Sequence, residues 1–136
     1  MFNLDFYKGK NVLVTGHTGF KGSWLTHILV KSGANVTGIS LGLPSEPSLF
    51  KILNLEKCVR HIKGDIRDFN GLKNVFAESS PEIVFHLAAQ PIVRESYKSP
   101  RETYETNVMG TVNVLECIRL TESVRSSVIV TTDKVY

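Results

Sequence analysis

No run of like charge, no apolar stretch of bilayer-spanning length and only two cysteines occur in these 136 residues. Each absence excludes something. The formal charge of +3 is scattered along the chain, so the footprint of a nucleic-acid partner is missing and none is expected. The longest apolar runs are strand-sized, so no membrane span is expected either. Met1-Phe2-Asn3-Leu4-Asp5 has neither the basic nor the long apolar region of a secretory leader. Cys58 and Cys117 stand far apart, one in an expected strand and one in an expected helix. Two buried thiols in a reducing cytoplasm is the preferred reading over a disulfide or a metal site. Repeats, low-complexity segments and linkers are absent too, so ordinary composition and this length imply one domain.

What is present centres on Asn11–Gly22. The β-branched run Val12-Leu13-Val14-Thr15 stops at Gly16, and Gly19 and Gly22 follow at intervals of three. From Phe20 onward apolar residues recur at helical spacing: Phe20, Trp24, Leu25, Ile28, Leu29. Strand, glycine turn and helix are what a dinucleotide pyrophosphate requires. Gly16 permits the turn, Gly19 admits the phosphates and Gly22 lets the helix pack close, while free N–H groups and the positive helix end face the anion. The spacing G-x-x-G-x-x-G resembles that of the extended short-chain dehydrogenase/reductase superfamily.

Along the chain, Phe6 and Tyr7 are expected at the sheet's edge, and Lys31-Ser32-Gly33 reads as a helix stop. Ala34–Ser40 reads as the second strand, and Ser48–Leu55 as a short helix with Leu49, Ile52 and Leu53 inward. Cys58–Lys63 is the expected third strand. Asp68 caps a helix with Phe69, Leu72 and Phe76 on its apolar stripe. Glu82–Leu87 suits a strand buried on both faces. Ser99-Pro100 opens a long helix with Tyr104, Val108, Val112 and Leu115 on one face, and Val128–Thr131 is the fifth strand. Strands alternating with helices imply an α/β doubly wound parallel sheet, Rossmann-like, of five strands, with ligands at the strands' carboxyl ends.

The loops at those ends carry the candidate chemistry. An acid for the adenosine ribose is expected at the end of the second strand, yet that region reads Ser40-Leu41-Gly42-Leu43, with no carboxylate before Glu46. No Arg or Lys stands there for a 2′-phosphate, which favours NAD over NADP. His86 reads as a packed, hydrogen-bonded core histidine. Thr132, Asp133 and Lys134 set a hydroxyl, an acid and an amine side by side at the last strand's end.

Gly16–Leu25, Pro47–Phe50, Gly64–Asp68, Val84–Arg94 and Thr132–Tyr136 together resemble the CDP-glucose 4,6-dehydratases, from about Lys10 to the last residue. The resemblance implies an NAD-dependent lyase acting on a nucleotide sugar, CDP-glucose, in a cytoplasmic pathway, by an enzyme that is a homo-oligomer. Cofactor contacts fall on Gly16, Thr18, Gly19, Phe20, Lys21 and Gly22, on Leu87, Ala88 and Ala89, and on Thr106 of a Thr-Asn-Val-x-Gly-Thr pattern. Asp65 and Ile66 match a pair that holds the adenine, the acid accepting its exocyclic amine. By the same resemblance Lys134, or a group it activates, removes the C5 proton of a 4-keto sugar, Asp133 protonates the departing C6 hydroxyl, and Thr132 hydrogen-bonds the C4 oxygen. The superfamily's Tyr-x-x-x-Lys base pair has no match in the chain, so residues 1–136 are expected to be the front part of an enzyme, truncated after strand five and inactive alone. Another nucleotide-sugar epimerase or dehydratase, or a non-catalytic dinucleotide-binding module, are the alternatives.

Overall fold

A computed structural model describes residues 4–132. Its strands are β1 (Asn11–Thr15), β2 (Asn35–Ser40), β3 (Arg60–Lys63), β4 (Ile83–His86) and β5 (Ser126–Ile129). Its helices are α1 (Phe20–Lys31), α2 (Leu49–Ile52), α3 (Phe69–Ser79), α4 (Val93–Lys98), α5 (Pro100–Tyr104) and α6 (Gly110–Leu120). The sheet is parallel throughout, in the order β3-β2-β1-β4-β5, as the alternation of strands and helices requires. β1 is central, and Val12, Leu13 and Val14 are all buried because helices cover both of its faces.

Strand alternation divides the core in two. Leu13, Ile39 and Val84 point to one face, where α3 and α6 supply Leu72, Val75, Phe76, Val114 and Cys117. Val12, Val14, Val36 and Ile83 point to the other, where Leu29 of α1 meets them with Leu25 and Val30 alongside. The α3 stripe lies where its periodicity puts it, and the Asp68 carboxylate accepts from the Gly71 N–H at 3.1 Å as the cap. The stop after α1 also holds: Ser32 is the C-cap and Gly33 takes φ +78°.

Two helices bury a face other than the one their apolar spacing suggests. In α1 the inward residues are Gly22, Ser23, Thr26 and Leu29, whereas Phe20 is 71% and Trp24 45% exposed. Close approach at Gly22 sets this rotation: a Cβ there would overlap the Gly16 carbonyl, so the small-residue face must point in. In α6, Gly110, Val114 and Cys117 face inward, and Tyr104, Val108, Val112 and Leu115 are exposed. Again a glycine decides, since Gly110 lies directly against the Ile66 side chain.

Smaller differences have local causes. A 3-10 turn over Leu55–Lys57 takes the N–H groups of Cys58 and Val59, so β3 begins at Arg60 and Cys58 is exposed rather than buried. In the helix before it Ile52 is exposed, and the buried residues are Phe50 of α2 and Leu55, which opens the 3-10 turn. β5 begins at Ser126, because its register is set by Ile83 opposite and not by the apolar run. Tyr7 packs toward Phe85 on central β4 instead of at the sheet's edge. The expected loop before Ser99 contains α4. No helix among the described residues is long and apolar enough to cross a membrane.

Candidate functional site

The segments expected to carry the site leave the carboxyl ends of β1, β2, β3, β4 and β5. Gly16 turns the chain out of β1 at φ +74°, a conformation costly for other residues, and a Cβ on it would fall 2.7 Å from the Ala88 nitrogen. The glycine turn and the Leu87-Ala88-Ala89 segment are therefore in direct contact. Gly19 is the N-cap of α1, no side chain caps that end, and a Cβ there would meet only the Gly16 oxygen, at 3.4 Å. The helix start, with the unpaired N–H groups of its first turn, faces open space. Phe20 and Lys21 stand exposed in that turn.

Thr18 has a different use for its side chain: buried, it donates to the Gly42 carbonyl at 2.6 Å and ties the β1 loop to the β2 loop. A Cβ at 42 would meet no atom within 4 Å, but the φ of +156° there disfavours any side chain. Beneath this tie lies His17. Its Nε2 is 2.7 Å from His61 Nδ1, and its ring stands against Gly38 and edge-on to Phe50. Burial, and secondarily His61, lower the His17 pKa to about 4, so the ring is neutral near pH 7.

A directional chain of hydrogen bonds holds the β4 end. The Thr111 hydroxyl donates its one proton to the Asn107 carbonyl at 2.7 Å, so toward His86 Nε2, at 2.9 Å, it accepts. That assigns the proton to Nε2 and leaves Nδ1 to accept from Thr15 Oγ1 at 2.6 Å. Thr15 Oγ1 in turn accepts from the N–H groups of Leu87 and Ala88. Neutral His86 satisfies every member, and burial keeps its pKa below the ordinary value. The expected core histidine is thus the brace between β1, β4 and α6. Asn107, in a π-helical turn over Glu105–Met109, accepts from Gln90 N at 2.7 Å and donates to Gln90 O at 3.0 Å. Thr106 occupies the same turn, a form found often at functional sites.

At the β3 end Ile66 is buried in the α3/α6 core, so only its main chain can meet a ligand. Asn113 of α6 donates to the Ile66 carbonyl at 2.9 Å and the Arg67 carbonyl at 3.2 Å. Asp65 stays partly exposed, with Arg67 on both carboxylate oxygens; those hydrogen bonds hold its pKa below the usual carboxylate range. Arg67, Asn113, Thr15 and Thr111 are site residues that the sequence reading passes over. The i, i+3 spacing of Gly110 and Asn113 is the one signal that could have found the second. Thr132 follows β5 and is exposed, and Asp133 and Lys134 lie outside the described residues. No group of three or more potential metal ligands occurs among the described residues.

The family model described as GDP-mannose 4,6 dehydratase matches residues 13–136. The chain belongs to this family. Among relatives of this GDP-mannose 4,6-dehydratase family member, a CDP-glucose 4,6-dehydratase of Salmonella typhimurium is 53% identical over 136 residues, which is 100% of this chain and 38% of that protein. A solved epimerase from Methanothermobacter thermautotrophicus is 36% identical with a TM-score of 0.77, over 93% of this chain and 36% of that one. The UDP-glucose-4-epimerase of Stenotrophomonas maltophila, solved with bound NAD and formylated UDP-arabinopyranose, is 27% identical with a TM-score of 0.81, over 93% and 38%. The family member described here thus spans under two-fifths of the length of each of these three proteins.

Proposed function

We infer that residues 1–136 are the N-terminal part of the dinucleotide-binding domain of an NAD-dependent CDP-glucose 4,6-dehydratase, a cytoplasmic lyase of nucleotide-sugar and deoxysugar metabolism. One observation carries the dinucleotide reading. The uncapped start of α1 sits over an open glycine turn at the sheet's switch point, with Ala88 against Gly16. The donor set fits NAD: main-chain N–H groups for the pyrophosphate and a carboxylate for an exocyclic amine. The identity to the Salmonella protein over the whole chain supports CDP-glucose as the substrate.

The glycine turn, Asp65 and Thr106 would hold NAD, which would supply reversible hydride transfer at C4 and C6 of the sugar. The chain's own residues do the rest. The glycine turn and α1 hold the pyrophosphate, Asp65 and the Ile66 main chain hold the adenine, and Leu87–Ala89 and Thr106 line the path toward the nicotinamide. Thr132 hydrogen-bonds the C4 oxygen and polarises it. Lys134 takes the C5 proton, made acidic by the C4 carbonyl, and Asp133 gives a proton to the departing C6 hydroxyl, so water leaves. Lys134 must be neutral and Asp133 protonated to do this, which apolar surroundings or neighbouring charge would provide. No Tyr-x-x-x-Lys occurs in the sequence, so turnover belongs to a protein of the relatives' length. The exposed apolar stripe Tyr104, Val108, Val112 and Leu115, running from α5 through the π-helical turn into α6, supports a homo-oligomer.

Calorimetry on the intact protein tests this reading. NAD should bind more tightly than NADP, and Gly19→Val should abolish binding with the unfolding midpoint kept, because a Cβ at 19 makes one ordinary contact, 3.4 Å from the Gly16 oxygen. Unchanged NAD affinity in Gly19→Val would remove the pyrophosphate from this loop.

A further inference from the structure

We propose that Arg67 is a positioning residue that sets base selectivity at the adenine end of the site, by fixing the direction in which the Asp65 carboxylate accepts. The proposal rests on the reading that Asp65 accepts the adenine amine. The Arg67 main-chain N–H donates to Asp65 Oδ1 at 2.8 Å, Nε donates to Oδ1 at 3.1 Å and to Oδ2 at 2.9 Å, and Nη2 donates to Oδ2 at 2.7 Å. This two-pronged grip leaves the carboxylate no freedom to turn. The clamp is itself anchored. Arg67 Nη1 lies 3.7 Å from Glu102 Oε1 on α5, and Asn113 holds the main chain on both sides of the Ile66–Arg67 peptide.

The chemical consequence is a filter. An ionised carboxylate has no proton to give, so its outward lone pairs accept from the amine at C6 of adenine. At the same position hypoxanthine carries a carbonyl oxygen, and two acceptors facing each other repel. A carboxylate released from Arg67 is free to rotate, and its lone pairs then no longer stand fixed toward the amine or against the carbonyl. The guanidinium therefore acts through Asp65 without touching the base.

The test compares NAD with nicotinamide hypoxanthine dinucleotide by calorimetry near neutral pH on the intact protein, as wild type and as Asp65→Asn, Arg67→Gln and Arg67→Lys. Wild type should prefer NAD, and Asp65→Asn should lose the preference, because an amide can turn its N–H₂ outward. Arg67→Gln should weaken NAD about tenfold, one charge-assisted hydrogen bond, with the hypoxanthine analogue unchanged. Arg67→Lys, which keeps one donor, should regain part of the ratio. An equal loss for both dinucleotides in Arg67→Gln makes the residue merely structural and overturns the proposal. A preference lost in Asp65→Asn but intact in Arg67→Gln overturns it and leaves the Asp65 reading standing. An unchanged preference in Asp65→Asn overturns that reading, and the proposal with it.

Discussion

On one face of the sheet α3 and α6 lay Leu72, Val75, Phe76, Val114 and Cys117 over Leu13, Ile39 and Val84, and nearly every contact is apolar. On the other, toward the carboxyl ends of the strands, the buried groups are Gly22, Ser23 and Thr26 of α1, then His17, Ser48 and Phe50. The first face is held by removal of hydrocarbon from water, a force indifferent to direction and to protons. The second has its own apolar cluster of Val12, Val14, Leu29, Val36 and Ile83, and adds close approach and hydrogen bonds, which depend on single atoms. The difference follows from what each face has to place. A helix start that is to meet an anion must come down onto the glycine turn, and only small residues allow that, whereas α3 and α6 need only cover the sheet.

Substitutions should separate the two. The largest effect is expected from Gly22→Val, whose Cβ overlaps the Gly16 carbonyl: a loss of about 4 kcal/mol or more, most of a small domain's stability, seen as failure to give a cooperative unfolding transition. A normal transition would mean that α1 can slide. On the apolar face, Leu72→Ala should cost about 3 kcal/mol in denaturant unfolding, by lost transfer and a cavity, with the same loss at every pH.

Acid should find the polar face. Below pH 6.5 the unfolded chain binds a proton on His17 that the folded chain refuses until about pH 4. Stability then falls as pH falls through that window, by at most about 3 kcal/mol, and His86, also lowered by burial, acts in the same direction. Denaturant curves near pH 7 and pH 5 measure the slope, and a flat profile would show His17 already protonated in the fold. The smallest effect belongs to the apolar stripe that α1 leaves outside. Trp24→Gln should change stability by no more than about 0.5 kcal/mol in the intact protein unless another surface covers it, and a larger loss would reveal that surface.

The same contrast explains what could be read in advance. In α3 the apolar stripe, the Asp68 cap and the buried face coincide because nothing but burial orients the helix. In α1 and α6 periodicity finds the helix yet names the wrong face, because Gly22 and Gly110 outweigh the larger side chains. At the site, Gly16 and Asp65 are recognisable from local motifs. Asn113, Thr15 and Thr111 act through partners on other segments, each at least 25 residues away in sequence, and the Arg67 grip on Asp65, two residues away, follows no periodicity.

By itself the amino-acid order determines the parallel α/β architecture, the placing of the glycine turn between β1 and α1, and which strand ends carry polar groups. Those are matters of periodicity, turn chemistry and the handedness of β-α-β crossovers, all local or nearly so. Tertiary structure alone decides which face each helix buries, that His86 is the neutral Nε2–H tautomer joining Thr15 to Thr111, and that Thr18 spends its hydroxyl on Gly42. It also decides that Asp65 is gripped by Arg67 with Asn113 fixing the backbone beside them. Apart from the Asp65–Arg67 pair itself, each of these joins groups remote in sequence, and close packing and hydrogen-bond direction fix them to within about an ångström.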